Sequence, residues 1–189
     1  MIKKIFAFTL IFFTLTANLF SIEPDVFVQS TVNRAADTLG AGLTKDERMA
    51  ELKKIALETV DIRGIGFYSL GSHRKTATDD QMQEYEKVFK DYFLISFSSR
   101  LAEYSNPIIQ VDSKEKLNDN YTIVSSTLVG TDSRPKVKIE WRVYTKNPEN
   151  LLIRDLIIEG LSLARTQKEE FSSIINSNDG NIELSLIHI

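Results

Sequence analysis

The segment Val137-Lys138-Ile139-Glu140-Trp141-Arg142-Val143-Tyr144 decides the fold class. Its apolar residues fall on every second position, and most of the residues between them are charged. This period of two predicts a β-strand with one buried face and one solvated face. Strands of this kind are typical of antiparallel sheets, because the strands of parallel sheets are usually covered on both faces. The rest of the chain should therefore supply antiparallel neighbours and a layer that covers the apolar face.

Neighbouring segments provide the strand partners. Residues 121–129 are rich in Thr, Val and Ile, which favours a second strand. Residues 108–111 and 151–158 are the remaining strand candidates. The links at 132–135 and 147–150 are short and rich in turn-forming residues, which favours antiparallel pairing of sequential strands.

The preceding part of the chain has the signals of helices. Pro24 opens a first helix, and Gly40 and Gly42 end it. Thr44 with Glu47 three residues later is a capping-box pattern that starts a second helix. A third, short helix is predicted at 61–70, before the stop signal Gly71, although Gly64 and Gly66 weaken its helical propensity.

A longer helix follows, starting at a second capping box formed by Thr78 and Gln81. Eight apolar or aromatic residues form one stripe along it: Met82, Tyr85, Phe89, Tyr92, Phe93, Phe97, Leu101 and Tyr104. Pro107 prevents its continuation. A final helix follows Gly160, with Phe171, Ile174 and Ile175 on its inner side. Helices, then a strand meander, then a helix define an α+β protein, not an alternating βαβ one.

The N-terminus has the three-part pattern of a secretory signal. Lys3 and Lys4 precede an apolar run at 5–16. Ala17 and Ser21 are small residues at candidate cleavage points, and we expect cleavage after Ser21. The alternative is a membrane anchor, but the run is shorter than the roughly 20 apolar residues that a spanning helix needs. We expect residues 1–21 to be a cleaved signal peptide and residues 22–183 to form one domain.

Charge and composition restrict the function classes. The chain has no cysteine, which excludes disulfides, thiol catalysis and thiolate metal sites. Removal of Lys3 and Lys4 takes the 23 basic residues to 21 against 26 acidic ones, a net charge of -5. A negative domain is a poor partner for nucleic acid or for an anionic bilayer surface. We therefore expect no nucleic-acid partner and no stable membrane insertion.

The last six residues, 184–189, are similar to the translation of a sequencing adapter. On this interpretation the native chain is cut short near Glu183, and no function depends on His188. The alternative is a genuine amphipathic tail.

Two blocks of sequence resemble the MlaC (toluene-tolerance auxiliary) family. The first comprises Leu70-Gly71, Lys75-Thr76-Ala77-Thr78, Gln81, Phe89 and Tyr92. The second is Asp155-Leu156-Ile157-Ile158-Glu159-Gly160-Leu161-Ser162, followed by Gln167, Glu170 and Phe171. Asp61 also fits an early aspartate of the family. The resemblance spans about residues 24–183. The chain departs from the family at Leu151, where a tryptophan is usual, and at His73 and Arg154, where an aromatic residue is frequent.

The resemblance implies a fold, a ligand and partners. The fold would be a curved antiparallel sheet of the nuclear transport factor 2-like kind, wrapped by several helices. The implied function is a periplasmic carrier that holds phospholipid tails between sheet and helices. It would exchange lipid with an outer-membrane lipoprotein complex and an inner-membrane ABC transporter of the Mla type, without a cofactor and without enzymatic activity.

Candidate lipid-binding residues lie on the helical stripe and on the apolar strand faces, since an acyl tail needs an apolar cavity. They are Phe67, Leu70, Tyr85, Phe89, Phe93, Phe97 and Leu101 on the helical side, and Val137, Ile139, Trp141, Val143, Leu156 and Ile158 on the strand side. The alternative is that they are core residues that pack on each other.

Other readings remain open. The basic residues Arg134, Lys136, Lys138 and Arg142 suit either a phosphate headgroup or acidic partner, or a solvated strand face. Asp155 and Glu159 are interpreted as structural. An enzyme would instead need Asp61, Asp155 or His73 inside a cavity, and an interaction module would show a solid core and an exposed apolar patch. The sequence contains no motif for a catalytic triad, a phosphate loop or a metal site.

Overall fold

A computed structural model of the chain describes residues 21–130, 135–182 and 185. The predictions about residues 1–20, Arg134 and nearly all of the tail at 184–189 concern positions outside the described residues and stay predictions. The elements are α1 (Pro24–Gly40), α2 (Lys45–Thr59), α3 (Ile62–Leu70), a short 3-10 helix (His73–Lys75), α4 (Asp79–Leu101), β1 (Ile109–Asn118), β2 (Tyr121–Leu128), β3 (Val137–Tyr144), β4 (Leu152–Ile158), β5 (Leu161–Ser162) and α5 (Leu163–Ser177).

Both predicted capping boxes are present. The backbone N–H of Glu47 donates to the Thr44 hydroxyl at 3.3 Å, and the Glu47 carboxylate accepts from the Thr44 backbone N–H at 2.9 Å. Thr78 and Gln81 make the same reciprocal pair at 3.2 and 3.0 Å. Each box satisfies two backbone donors that a helix start leaves unpaired, which fixes where α2 and α4 begin.

Helix α3 forms in spite of its two glycines, because both serve close contacts. Asp61 caps the helix by accepting the Gly64 backbone N–H at 2.8 Å. A Cβ at Gly64 would lie 2.4 Å from that carboxylate, and a Cβ at Gly66 would lie 2.8 Å from the Phe89 ring. Gly71, at φ 57°, ends the helix in the left-handed region that glycine adopts without strain.

The five strands form one antiparallel sheet in sequence order, β1 to β5. Trp141 lies opposite Val124 on β2 and Leu156 on β4, so these side chains share one face. Lys138, Glu140 and Arg142 project from the other face by strand alternation. The sheet and its helices confirm the predicted α+β class.

The structure corrects two boundaries and adds one short strand. Strand β1 continues beyond the predicted 108–111 as far as Asn118, although its side chains from Asp112 onward are exposed and carry no apolar pattern. Pairing with β2 keeps this segment extended. The sequence of the segment alone gives no strand signal. The two-residue β5 was not predicted, and α4 ends at Leu101, so Tyr104 lies beyond the helix.

Buried side chains fall into two main clusters. The helical core joins α2 to α5 and contains Ala56, Ile62, Ile65, Leu70, Tyr85, Phe89, Leu94, Ala164, Phe171, Ile175 and Ile182. The sheet cluster joins α1 to the sheet and contains Val28, Val32, Val124, Ile139, Trp141, Val143, Leu151 and Ile153. Val60, which follows α2, packs against both.

Helix α1 is fastened to the edge strand β1 by polar contacts. The Gln29 side-chain amide donates to the Ile109 carbonyl at 3.3 Å and accepts the Val111 backbone N–H at 3.1 Å. Lys114 forms ion pairs at 2.7 Å with both Glu23 and Asp25. These contacts hold α1 beside the outer edge of the sheet.

Within the described ranges, none of the helices combines the length and the apolar character needed to cross a membrane.

Candidate functional site

The side chains in the middle of the helical stripe are buried against one another and against α5. The rings of Tyr85 and Phe89 stack at 5.7 Å, and each meets the Phe171 ring edge-on, at 6.1 and 5.6 Å. The Tyr85 hydroxyl donates to the Gly66 carbonyl at 3.1 Å, and burial raises the pKa of this phenol, so it stays a donor. Tyr85 and Phe89 are each 1% exposed and offer no surface to a ligand in this conformation.

The stripe becomes more open toward the end of α4. Phe93 stacks on Phe89 at 6.2 Å, and Phe97 stacks on Phe93 at 5.6 Å with the ring planes 10° apart. Both are only partly buried. Leu101 turns away from this row and packs with Leu39 and Leu52 in a small separate cluster. Phe93 and Phe97 thus form a stacked pair that retains apolar surface, and Met82 and Tyr92 of the same stripe are also only partly buried.

The apolar face of the sheet is centred on Trp141. Its indole N–H donates to the Ser126 hydroxyl at 2.8 Å, which satisfies the one polar atom of a ring that is 8% exposed. Ile139 and Val143 are buried beside it, while Val137 and Leu156 are partly buried. Ile158, opposite Ile139 in the register, is also partly buried.

The two candidate surfaces are separate in the structure. The apolar sheet face packs against Val28 and Val32 of α1. Helix α4 packs on α2 and α3. Val60 connects the two clusters, and its backbone bridges to Ile153 on β4. Enclosure of one cavity by both sets remains a prediction.

Phe67 lines a cleft of about 380 Å³ next to the helical core. Val60 and Leu152 form apolar parts of its wall. The Arg63 guanidinium lies 4.6 Å from the centre of the Phe67 ring and pairs with Glu86 at 3.0 Å. The cleft therefore combines an apolar wall with charged residues.

Residues considered for catalysis have structural contacts. Besides capping α3, Asp61 accepts from the Arg154 Nε at 2.5 Å. Asp155 is 4% exposed and accepts from the Ser162 hydroxyl at 2.7 Å and from the Ala164 backbone N–H at 3.0 Å, which anchors the start of α5. His73 lies partly exposed in the 3-10 helix. In the described part of the chain, no three His, Cys, Asp or Glu side chains are grouped as a metal site.

On the basic strand face, Lys138 is paired. Lys138 bridges to Glu140 at 2.7 Å, and its backbone N–H donates to the Glu159 carboxylate. This contact and those of Asp155 support the interpretation of both acidic residues as structural.

Sequence reasoning missed several residues around the sheet cluster. Phe27, Val60, Val111 and Leu128 are partly buried against it. The helical spacing of Val28 and Val32 signalled an apolar face on α1, but sequence alone did not assign that face to the sheet.

An open antiparallel sheet whose apolar face packs against α1, beside a separate helical core with partly buried aromatic rings, defines an α+β domain with an apolar interior. The sequence model of the MlaC protein family matches residues 29–185. The chain belongs to the MlaC family.

Two relatives illustrate the similarity. The chain is 23% identical over 183 residues to the intermembrane phospholipid transport system binding protein MlaC of Haemophilus influenzae, covering 89% of this chain and 85% of that protein. It also resembles a crystal structure of the phospholipid-binding protein from Ralstonia solanacearum in complex with a phospholipid. The TM-score is 0.73 at 21% identity, over 88% of this chain and 94% of that one. This likeness confirms the fold.

Proposed function

We propose that the chain is a periplasmic phospholipid carrier that holds acyl tails between the sheet and the helices. The observation that carries the proposal is the apolar surface left over after the core is packed, at Phe93, Phe97, Val137 and Leu156. Family membership supports it, as do the phospholipid transport named for the Haemophilus relative and the phospholipid bound to the Ralstonia protein.

Apolar residues suffice for such a carrier because lipid transfer needs no bond to be broken. Burying a tail contributes about 0.8 kcal/mol per CH₂, so a tail of roughly 16 carbons gains on the order of 12 kcal/mol relative to water. A bilayer offers about the same gain. Transfer between protein and membrane can therefore be nearly neutral in free energy, and the proposal includes no cofactor and no catalytic residue.

The proposal includes the partners implied by the family. Lipid would be exchanged between an outer-membrane lipoprotein complex and an inner-membrane ABC transporter of the Mla type. The excess of acidic over basic side chains in the full chain, 26 against 23, fits a carrier that does not cling to anionic lipid surfaces.

Lipid analysis of the purified chain tests this function. Native mass spectrometry followed by organic extraction should find phospholipid at a defined stoichiometry. Phe93→Asp should lower the lipid content at least severalfold, because a charge next to a tail is costly to bury. Ile95→Asp is the matched control, since Ile95 lies on the same helix but is 54% exposed.

Equal lipid content in folded Phe93→Asp and Ile95→Asp would remove Phe93 from the site. A folded wild-type chain that carries no lipid and takes up none from vesicles would overturn the carrier proposal. An envelope interaction module would then be the better account.

A further inference from the structure

A second cleft, of about 490 Å³, lies on the other face of the sheet. Helix α3, the turn between β1 and β2, and strands β3 and β4 contribute to its walls. Three arginines from three different elements line it: Arg74 of the 3-10 helix, Arg142 of β3 and Arg154 of β4. Arg142 alternates with Trp141 along β3, so the cleft is separate from the face proposed for lipid tails.

The carboxylates around this cleft leave positive charge unmatched. Arg154 is held by the Asp61 carboxylate, by the Tyr121 hydroxyl at 2.8 Å and by the Tyr144 ring at 3.9 Å. Asp155 already accepts two hydrogen bonds and lies 3.8 Å from the nearest nitrogen of Arg142, a weak ion pair. Arg74 has no acceptor among the described residues. Three guanidinium groups thus face two carboxylates, and each carboxylate has another structural contact.

Donors also remain unused. The Nε of Arg142 is shielded from solvent and has no acceptor among the described residues, and a buried unpaired donor is costly. Tyr121 accepts from Arg154, which leaves its hydroxyl hydrogen for another acceptor. Lys168 lies 5.1 Å from the centre of the Tyr68 ring, which also lines the cleft, and adds a further positive charge nearby. Arg48 has a similar buried Nε, so the convergence of arginines, and not the single donor, carries the inference.

We propose that this cleft binds a phosphate group. Guanidinium groups suit phosphate because they are always charged and offer paired N–H donors to its oxygens. Arg154 is fixed in place by its protein partners, while Arg142 and Arg74 supply the uncommitted donors. The phosphate belongs either to a free phosphate ion or to a phospholipid headgroup presented from outside. The site does not depend on tail binding.

Titration of the purified chain with inorganic phosphate, followed by calorimetry, tests the site. Arg142→Met and Arg74→Met should each weaken phosphate affinity about tenfold, which corresponds to about one charge-assisted hydrogen bond. Arg34→Met is the control, because it removes the same charge at a different place. Arg34 pairs with Glu58 on an exposed surface formed by α1 and α2. Circular dichroism and the lipid content of each variant are measured alongside.

A short-chain phospholipid, added below its micelle concentration, distinguishes the two sources. Displacement of inorganic phosphate by this lipid in the wild type would assign the site to a headgroup, and no displacement would assign it to free phosphate. Absence of phosphate binding, or equal weakening in the folded Arg34→Met control, would overturn the proposal. The lipid content of each variant is measured separately, so failure of the phosphate proposal is distinguishable from failure of the tail-binding proposal.

Discussion

The helical core and the sheet cluster are built from similar side chains but use them differently. In the helical core, Tyr85, Phe89 and Phe171 are 1–2% exposed and contact one another through their rings. The sheet cluster has a packed centre at Val124 and Val143, but Val137 and Leu156 at its margin are only partly buried. A structural residue and a candidate ligand contact can thus be the same residue type. They differ in how much of the side chain stays exposed after the core is packed.

The largest effect is expected from substitutions of two phenylalanines on α4, which test whether the packed core and the candidate ligand surface are distinct. Phe89→Ala should destabilise the fold by about 3–5 kcal/mol, because it empties a fully packed position. Phe93→Ala should cost roughly half as much, because part of that ring is already exposed. Lipid bound per folded molecule should fall for Phe93→Ala and stay constant for Phe89→Ala.

Denaturant unfolding gives the stabilities, and organic extraction of the folded fraction gives the lipid content. Equal stability losses, or a loss of lipid in the Phe89 variant, would show that the helical core and the ligand surface are not distinct.

A smaller effect is expected inside the sheet cluster. Ser126→Ala leaves the Trp141 indole N–H without its acceptor in a buried setting, which should cost about 1–3 kcal/mol. Ser98→Ala is the control, because Ser98 is equally buried but, among the described residues, its hydroxyl donates only to the Ile95 carbonyl of its own helix, at 3.3 Å. Thermal unfolding and tryptophan fluorescence report the two changes. Similar losses in both variants would mean that the indole bond does not stabilise the sheet cluster.

The smallest effect should come from the ion pairs that join α1 to β1. Their hydrogen bonds hold the pKa of Asp25 below its ordinary 3.8 and raise the pKa of Lys114 above its ordinary 10.5. The Asp25 contribution is therefore present above about pH 4 and lost as pH falls through the lowered pKa. The Lys114 contribution is present below 10.5 and lost as pH rises through the raised pKa.

Lys114→Met should accordingly lower the unfolding midpoint slightly at neutral pH, and this difference from wild type should shrink in acid. Midpoints measured between pH 3 and pH 8 check the prediction. A difference that grows toward acid would contradict it. Lys116→Met, which breaks only a short-range pair with exposed Asp119, is the control.

Local signals in the sequence were enough to predict most elements. The capping boxes at Thr44 and Thr78 and the alternation around Trp141 involve residues within a few positions of each other. Such local patterns can be recognised without knowledge of the rest of the fold. The exposed half of β1 was missed because its partners, strand β2 and the start of α1, are tertiary neighbours.

The candidate site was less predictable for the same reason. Periodicity shows that Phe89 and Phe93 share a helix face, but it does not show that Phe171 from α5 fills the space around only one of them. Nor does it show that α1 covers the sheet. The convergence of Arg74 with Arg142 and Arg154 depends on the 3-10 helix lying close to strands β3 and β4, which follow much later in the chain.

The contact between Gln29 and β1 also affects whether other molecules can associate with the edge of the sheet. An edge strand normally exposes backbone groups that can recruit a strand from another molecule. Here the amide of one glutamine acts as a short substitute strand for Ile109 and Val111. Further along the edge, Lys114 and Lys116 place charged side chains whose ion pairs a second strand would have to disturb. The sheet can thus stay open at its edge without becoming a seed for aggregation.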